Sequence, residues 1–551
     1  MTGIGRWPAA GLVVALLPVV SLLLVLDRAA MIDDALFLKA ASQIFRDPAR
    51  PFDFLVNWYG WEEPFWHVFK NPPGLSYWLA ASDALFGERE AARHASMLPF
   101  TIAAVVAAAW LTRRFAGEWP WITAAWAASP AFLVSSATLM ADVPALACSL
   151  WGLVFWIRGA GEDTTWSRRL GAGLAGLAVV VKYTALLGIA TLLLYSLLVA
   201  GGARRRRQLA DLWPAMLAPS AWSLLTLATH GRNHMIDALT VGGGGLDPNP
   251  GWFAHRAIAL LTFIAGTSVF AVLAVVPAVQ VRRRLTLAAV AAGVATAVAL
   301  ATPHVWSPRG LGGGAVPVAV VLATIGALVL LLAFREGLRS GEPESRFLVA
   351  WVALHLAYLW LWSWSVAARF VLPLMLPLVI LLARSLGARA DAAASRARAG
   401  LFGAAAGVAL AVSVTLLLAD SAVGDFYRRA IPIVVKAQAA RERGRVHFVG
   451  AWGFQHYAER AGLTKLNRDA PVVARGDLVL QPYYAANRDV PAGLEDRLEE
   501  HGRLTGPRPP LDVHTMNINV AAGFYSSAYG PLPFTRARLP LEGILVWRVR
   551  K

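Results

Sequence analysis

Cysteine is almost missing from this chain. A single residue, Cys148, occurs among 551 residues and lies within an apolar stretch. One cysteine cannot form an intramolecular disulfide or supply the thiolate set of a structural zinc site. The sequence therefore excludes a disulfide framework and a cysteine-based metal centre, and the compartment of any soluble part must be inferred from membrane topology.

Charged side chains are also scarce, at 15% of the residues, whereas 57% are hydrophobic. The mean hydropathy is +0.53. Apolar runs of about 20 residues recur along the first three quarters of the chain, and that length spans a bilayer as a helix. This composition excludes a soluble enzyme and predicts a polytopic α-helical membrane protein.

Acidic residues are outnumbered: 34 Asp and Glu stand against 51 Lys and Arg, which gives a formal charge of +17. Such an excess could indicate nucleic-acid binding, but the arginines lie in short clusters between apolar runs. The positive-inside rule accounts for clusters placed in this way. We therefore expect no nucleic-acid partner.

The arginine clusters also predict the topology. If each cluster is cytoplasmic, the chain has about thirteen spans, a cytoplasmic N-terminus and an external C-terminal tail. Residues 119–138 are predicted to form one of these spans. The apolar block from Leu170 to Ala200 is too long for one span, and the cluster Arg204 to Arg207 follows it. The block is therefore predicted to form two short spans with Lys182 near the outer turn.

Two regions follow from this topology: a membrane region of residues 1–420 with an outer loop at 31–91, and a small external α/β domain of residues 421–551. The tail contains the strand-like runs RVHFVG, GDLVLQP and GILVWRV, and AWGFQHYAERAG has the spacing of an amphipathic helix. About 130 residues are enough to bury a small core.

Paired carboxylates, Asp33 and Asp34, follow the first apolar run directly. Acidic groups at a bilayer edge cost free energy unless they face water, a partner or a substrate. Either could cap the helix that follows, but capping needs only one carboxylate. A general base for a hydroxyl proton explains the second. Asp142, on another outer turn, could be a functional acid or a cap before Pro144.

Three cations are predicted on the same outer side. Lys182 would cost about 2.5–3.5 kcal/mol at the middle of a membrane, so it either reaches the interface or binds an anion. Arg369 opens a span at the outer face, against the inside bias, and Lys70 precedes a Pro-Pro pair closely. Three converging cations would suit a phosphate group.

A divalent metal is a weaker possibility. Glu63 and His67 are close in sequence and could contribute ligands. No repeated ligand spacing supports a metal site, and a solvated loop explains the pair more simply.

Several segments, taken in chain order, form one pattern: the acid pair Asp33 and Asp34 with Phe37, then PPGLSYWL, FGEREAARHASMLP, Asp142, GLAVVVKYTAL and ARFVLPLMLPL. Together they resemble the GT-C superfamily of glycosyltransferases that use lipid-phosphate sugars. The order and predicted sidedness of the segments agree with that superfamily, and the nearer relatives are the lipid A aminoarabinose transferases and the protein O-mannosyltransferases.

The resemblance implies an inverting enzyme that moves a sugar from a polyprenyl-phosphate donor to a lipid, glycan or protein acceptor. The reaction would occur at the outer face of a bacterial inner membrane. On that model Asp33 is the base and Asp34 supports it, Asp142 is the second acid, and Lys182 and Arg369 hold the donor phosphate. No cofactor is required and a divalent metal is optional. The family often has Lys directly before Pro-Pro, where this chain has Asn71.

The main alternative is a secondary transporter or lipid flippase. A transporter predicts ionisable residues near the midplane and two related halves with broken helices. Here the acids cluster on one predicted side and the halves look unrelated. A membrane scaffold without catalysis is a further alternative, and it predicts that Asp33 and Lys182 are dispensable.

Overall fold

The computed structural model describes residues 9–117, 120–242, 250–268, 283–302, 314–386, 392–439 and 444–550. Helices make up most of this chain up to residue 439. Strands concentrate in the C-terminal part. The predicted cytoplasmic N-terminus, residues 1–8, lies outside the described residues.

The first half of the chain contains short and long helices and one small hairpin. The helices are α1 (Ala9–Leu16), α2 (Asp34–Arg46), α3 (Phe65–Val68), α4 (Gly74–Phe86), α5 (Glu90–Ala116), α6 (Pro120–Ala127), α7 (Pro130–Ser136), α8 (Asp142–Gly161), α9 (Thr165–Val181), α10 (Leu186–Val199), α11 (Gly202–Ala210), α12 (Leu217–His230), α13 (His234–Gly242) and α14 (Pro250–Thr267). The hairpin pairs β1 (Leu55–Asn57) with β2 (Glu62–Pro64) in antiparallel register.

The second half continues with helices and then turns to strands. The helices are α15 (Arg283–Leu300), α16 (Ala315–Arg339), α17 (Pro343–Leu361), α18 (Leu372–Ser385), α19 (Ala392–Ala439) and α20 (Trp452–Arg460). The strands are β3 (Val446–Phe448), β4 (Thr464–Lys465), β5 (Leu478–Pro482), β6 (Leu498–Thr505), β7 (Val513–His514), β8 (Met516–Asn517), β9 (Ala522–Gly523), β10 (Thr535–Arg536) and β11 (Gly543–Val549).

Five helices within the described ranges are long and apolar enough to cross a membrane. They are Glu90–Ala116, Asp142–Gly161, Arg283–Leu300, Ala315–Arg339 and the part of α19 from Arg396 to Ala439. Three shorter apolar segments, Ala9–Val25, Tyr183–Val199 and Leu372–Ser385, add to them. The fold is therefore that of a helical membrane protein, and the count of about thirteen spans stays a prediction.

The long apolar block from Leu170 to Ala200 is divided as predicted. Helix α9 ends at Val181, Lys182 is extended with φ −155° and ψ 124°, and α10 begins at Leu186 after a short 3-10 turn. Because Lys182 leaves the helical conformation, its side chain occupies a break between two helices. The predicted break at this lysine is confirmed.

A second break was not expected. The sequence predicted one span over residues 119–138, but the structure has α6 and α7 separated at Ala128 and Ser129. Pro130 occupies the first turn of α7, and Ser129 before it is extended with φ −62° and ψ 142°. The break arises because a residue before proline is driven out of the helical conformation. That residues 119–138 form one span stays a prediction.

The C-terminal strands form a five-stranded mixed sheet in the order β4-β3-β5-β11-β6. Strand β3 is parallel to β4 and β5, and β11 is antiparallel to β5 and β6. Helix α20 connects β3 to β4. The three predicted strands and the predicted amphipathic helix are therefore present, while the external location of this part stays a prediction.

Helix α19 runs without interruption from Ala392 to Ala439. The boundary predicted after residue 420 lies inside this helix, and the first strand begins only at Val446. The predicted boundary therefore does not coincide with an end of this helix.

A buried ion pair joins three distant parts of the chain. The Arg28 guanidinium donates to Asp420 at 3.1 Å, and both side chains are completely buried. The Asp420 carboxylate also accepts the hydroxyl of Thr515 at 2.7 Å and that of Tyr525. Since Arg28 follows the first apolar segment and Asp420 lies in α19, the pair ties both to the C-terminal part.

Asp34 is a second buried acid close to this cluster. Its two carboxylate oxygens accept the backbone N–H groups of Met31 and Leu139, each at 2.9 Å. Burial raises the pKa of Asp34 to about 7, against the opposing effect of the Arg28 charge. Asp34 thus fixes the start of α2 to the segment that precedes α8.

Replacing Arg28 tests the buried ion pair. We expect Arg28→Met to lower the free energy of unfolding by about 3–5 kcal/mol, because it leaves the Asp420 carboxylate buried without its cation. Thermal unfolding in detergent measures the loss. The matched control is Arg428→Met, which removes pairs with the partly exposed Asp27 and Asp425 and should cost no more than about 1 kcal/mol. Equal losses in the two variants would refute the assignment.

The stability contribution of Asp34 should depend on pH. Its pKa rises from 3.8 in an unfolded chain to about 7 in the fold, so the folded state binds the proton more tightly. This contribution is complete below pH 3.8 and is lost as the pH rises through about 7. The melting temperature of wild type minus that of Asp34→Asn should therefore decrease from pH 4 to pH 7. Asp53→Asn, at an exposed acid, is the control, and a pH-independent difference would contradict the prediction.

Candidate active site

A cavity of about 710 Å³ lies between the helical region and the C-terminal segments. Its walls come from the start of α2, the loop of the β1–β2 hairpin, helices α8, α10 and α17, the turn before α18, and the C-terminal segments. Five of the predicted catalytic and phosphate-binding residues line it, namely Asp33, Lys70, Asp142, Lys182 and Arg369. The structure therefore brings together residues that are more than 300 positions apart in sequence.

Asp142 forms the centre of the charged cluster. It begins helix α8, where the positive end of the helix dipole favours an acid. One carboxylate oxygen accepts from the Lys182 ammonium, and the other lies 3.7 Å from Nε of Arg369. The carboxylate is only 6% exposed. Both of its oxygens are thus engaged by cations, which suits a residue that positions Lys182 and Arg369.

Asp33 pairs with the same arginine from the other side. Its Oδ2 accepts from Arg369 at 3.0 Å, and its carboxylate is 34% exposed, the most accessible acid of the cluster. Nothing in the described ranges donates a hydrogen bond to its other oxygen. Asp33 therefore presents a free carboxylate oxygen to the cavity.

Arg369 connects the two acids and still has an unused donor. It lies in the short turn Ala368–Phe370 before α18, and the Ala368 N–H donates to the Phe524 carbonyl at 2.8 Å. Its Nη1 is buried and has no hydrogen-bond partner among the described residues. A buried guanidinium nitrogen without a partner is costly, so this donor is available for an anionic ligand in the cavity.

Lys182 and Lys70 add positive charge. The Lys182 ammonium lies 4.7 Å from the centre of the Phe370 ring, an arrangement that also holds the cation in place. Lys70 lines the cavity beside Asn71, and partial burial lowers the pKa of Lys70. The lining carries three lysine or arginine side chains against two carboxylates. This surplus of positive charge favours an anion.

The remaining predicted residues are placed differently. Asp34 does not line the cavity, because both of its oxygens accept backbone N–H groups. His67 lines the cavity with an exposed ring that lies 3.4 Å from Arg232, whereas Glu63 does not line it. In the part of the chain that the structure describes, no group of three or more His, Cys, Asp or Glu side chains could hold a metal ion.

One wall of the cavity is largely apolar. Helix α8 contributes Leu146, Leu150 and Leu153, and α17 contributes Trp351 and Leu359. These residues recur at spacings of three, four and eight, which place them on one face of each helix. The cavity therefore combines a charged end with an apolar wall, as an amphiphilic ligand requires.

Sequence reasoning missed the aromatic part of the lining. Trp58 and Tyr59 come from the β1–β2 loop, and Trp452, Tyr525 and Tyr529 come from the C-terminal segments. Aromatic residues in a membrane protein are mostly interfacial, so their identity alone carries no site signal. Only the folding of the C-terminal part against the outer loop brings them to the cavity.

The cluster can perform acid–base chemistry beside an anion. Asp33 offers an accessible carboxylate that can accept a proton. Arg369 and Lys182, held by Asp142, can stabilise negative charge that develops on an oxygen close to them. The geometry is therefore suited to displacing an anionic leaving group by a hydroxyl nucleophile.

Comparison with solved structures finds seven matching chains. The crystal structure of ArnT from Cupriavidus metallidurans in the apo state is 14% identical, with a TM-score of 0.40 over 86% of this chain and 93% of that one. The same protein bound to undecaprenyl phosphate is 15% identical, with a TM-score of 0.40 over 87% and 96%.

The arabinofuranosyltransferase AftD from Mycobacteria is 15% identical, with a TM-score of 0.46 over 99% of this chain and 40% of that one. Likeness at this level establishes no shared activity. No curated protein sequence matches the chain.

A family model gives the firmer finding. Residues 70–230 match the model described as dolichyl-phosphate-mannose-protein mannosyltransferase. The matched segment contains Lys70, Asp142 and Lys182, and it ends before Arg369. The resemblance to GT-C glycosyltransferases is confirmed over this part of the chain, which carries the sequence pattern of the dolichyl-phosphate-mannose-protein mannosyltransferase family.

Proposed function

We propose that this protein is an inverting glycosyltransferase that moves a sugar from a polyprenyl-phosphate donor to a cell-envelope acceptor. A glycosyltransferase is the class that the matched family model supports. The observation that carries the proposal is the position of Arg369, which bonds Asp33, approaches Asp142 and retains a buried, unpartnered Nη1.

The reaction follows from the charges of the cavity. Asp33 accepts the proton of an acceptor hydroxyl while that oxygen attacks the anomeric carbon of the donor sugar. The bond between this carbon and the phosphate oxygen breaks, and the electron pair stays with the phosphate. A single displacement from the opposite face inverts the configuration. The phosphate leaves as an anion and therefore needs no proton from the protein.

Arg369 and Lys182 stabilise the departing phosphate. Guanidinium and ammonium groups form short, strong hydrogen bonds to phosphate oxygens when water is largely excluded. Asp142 holds both cations in place through its two oxygens. Lys70, on the opposite loop, adds a third charge at the cavity wall. The apolar faces of α8 and α17 offer the polyprenyl chain a surface beside the phosphate.

The cellular setting is part of the same proposal. The protein is a membrane protein, and the proposal places it in a bacterial inner membrane with about thirteen spans. The N-terminus would be cytoplasmic, and the C-terminal α/β domain would be extracytoplasmic. The acceptor is a lipid, a glycan or a protein. No metal is needed for this scheme, because lysine and arginine supply the charge that a divalent cation would otherwise bring.

The transporter or flippase alternative is not favoured. It predicts ionisable side chains in a translocation path with broken helices in corresponding halves. In the described residues the acids and cations instead converge at one cavity that the C-terminal segments partly close. The family model is also one of transferases.

Replacing Asp33 tests the proposed base. We expect Asp33→Asn to reduce sugar transfer by about 10²- to 10⁴-fold, because the amide cannot accept the hydroxyl proton. Donor binding should persist, since Arg369, Lys182 and Lys70 remain. Purified protein in lipid is supplied with labelled polyprenyl-phosphate pentoses and hexoses, and sugar release and transfer to a membrane extract are measured.

The control for this experiment is Asp53→Asn, which alters an exposed carboxylate that pairs only with the exposed Arg50 in the described ranges. It should behave as wild type. Donor consumption that is unchanged in Asp33→Asn would remove Asp33 as the base. If wild type consumes none of these donors, while vesicles containing it translocate labelled lipid, the transporter alternative gains support.

Replacing Arg369 tests the phosphate site. We expect Arg369→Gln to weaken polyprenyl-phosphate binding by about 10- to 100-fold, because it removes charge-assisted hydrogen bonds worth about 1.5–3 kcal/mol. Equilibrium binding of a labelled polyprenyl phosphate to the protein in nanodiscs measures this. Arg346→Gln, at an exposed arginine, is the control. Unchanged binding in Arg369→Gln would show that the phosphate lies elsewhere.

A further inference from the structure

The loop of the β1–β2 hairpin belongs to the predicted outer loop of residues 31–91, and it reaches the cavity. Trp58 and Tyr59, between the two strands, both line it. Each of these strands has only three residues, and an isolated two-stranded hairpin is marginal in water. Some other part of the protein must therefore hold this loop against the cavity.

The C-terminal domain, residues 444–550, holds this loop in place by donating hydrogen bonds to backbone carbonyls of the loop. The Trp58 carbonyl accepts from Lys465 Nζ at 2.7 Å and from Asn487 Nδ2 at 3.0 Å. The Asn57 carbonyl accepts from Gln455 Nε2 at 2.8 Å. Because these hydrogen bonds use only the main chain of the loop, the side chains of the loop remain free to face the cavity.

Gly60 makes a further hydrogen bond between the loop and the C-terminal domain. Its carbonyl accepts the Arg468 N–H at 2.6 Å, and its φ of +108° is a conformation that other residues rarely adopt. A Cβ at this position would come within 2.3 Å of the Arg468 side chain. The close approach of loop and C-terminal domain at this point is therefore built into the backbone.

Among the side chains that donate hydrogen bonds to the loop carbonyls, that of Lys465 is ionisable. It lies in β4, its ammonium donates to Gln455 Oε1 at 3.0 Å as well as to Trp58, and it does not line the cavity. Burial lowers the pKa of Lys465 to about 7, against the opposing effect of Glu459. Burying an ammonium costs free energy that a purely structural contact does not require.

The cavity wall next to the loop is strained. Asn487 and Trp452 both line the cavity and both have positive φ, of 54° and 64°. A left-handed backbone is a genuine outlier for a bulky residue such as tryptophan. Strain of this kind persists where surrounding structure enforces it, and it clusters at functional sites. The ring of Trp452 lies 5.4 Å from that of Tyr529.

This wall and the proposed base, Asp33, line the same cavity. Burial raises the pKa of Tyr59, with further contributions from Glu63 and then Asp33. Burial also raises the pKa of Tyr529, against Arg488, and Asp33 contributes to that rise as well. Both phenols are thus within electrostatic reach of Asp33. In the proposed reaction the group closest to Asp33, besides Arg369, is the acceptor hydroxyl.

We propose that Lys465 is a positioning residue for the acceptor: by holding the Trp58 carbonyl, it sets the loop Asn57–Gly60 as the acceptor-facing wall beside Asp33. The inference rests on the proposed glycosyl transfer. It assigns the C-terminal domain a part in acceptor binding, whereas Arg369 and Lys182 hold the phosphate of the donor.

Two substitutions of Lys465 test this role in the full-length protein. Lys465→Met should raise the apparent KM for acceptor about tenfold, the effect of losing one hydrogen bond of about 1.4 kcal/mol, with kcat changed less than about twofold. The acceptor is one fixed membrane extract at serial dilution, with labelled donor in excess. Lys465→Arg, which keeps a cationic donor, should recover most of the loss, and Lys436→Met, at an exposed lysine, should match wild type.

Hydrogen exchange gives a readout that does not depend on activity. Backbone amides of residues 57–60 should exchange faster in Lys465→Met than in wild type or Lys436→Met, while those of β5 and β11 stay unchanged. Unchanged exchange at 57–60 would overturn the positioning role. Faster exchange without a change in acceptor KM would overturn the acceptor assignment.

The two proposals can fail separately. If wild type consumes no donor, the proposed function fails, and exchange at residues 57–60 still decides whether Lys465 holds the loop. If Lys465→Met does not fold, Asn487→Ala removes the second donor to the same carbonyl and is measured in its place. A rise in KM for donor equal to that for acceptor would overturn the specific link to the acceptor side.

Discussion

A guanidinium shared by two carboxylates is the interaction on which the rest of the site depends. Arg369 bonds Asp33 and approaches Asp142, while Asp142 also binds Lys182. In a poorly hydrated space, each charge of this cluster is stabilised by the opposite charge beside it. The cluster still leaves one oxygen of Asp33 and one nitrogen of Arg369 free for a ligand. A base requires such a free oxygen, and a phosphate contact requires such a free nitrogen.

The C-terminal segment, residues 444–550, contributes to the candidate site. The buried pair of Arg28 and Asp420 binds Thr515 and Tyr525 of this segment, and Tyr525 lines the cavity 5.8 Å from the Arg369 guanidinium. The Phe524 carbonyl accepts from the turn that carries Arg369. A change in the packing of this part of the chain would therefore alter the charged cluster. The same short segment contacts both the buried ion pair and the turn that carries Arg369.

Much of the helical framework was accessible from sequence because hydrophobic length and arginine placement are local properties. The break at Lys182 was predicted from the excess length of one apolar block, and three C-terminal strands from their apolar runs. The break at Ser129 was not predicted, although the residue before a proline, here Pro130, is disfavoured in a helix. Asp34 was expected beside Asp33, but adjacent residues at the start of a helix point in different directions, and its carboxylate is used by two backbone N–H groups.

The sequence by itself determined that this is a helical membrane protein and that Asp33, Asp142, Lys182 and Arg369 are chemically unusual where they stand. Each conclusion follows from the free energy of placing a charge near lipid, which depends on the residue and its neighbours along the chain. Only the tertiary structure decided that these residues meet, that Asp34 stays outside the cavity, and that Trp58, Tyr59, Trp452 and Tyr529 complete it. Those facts depend on contacts between segments hundreds of residues apart, formed through backbone carbonyls and buried ion pairs, and no local pattern in the sequence encodes them.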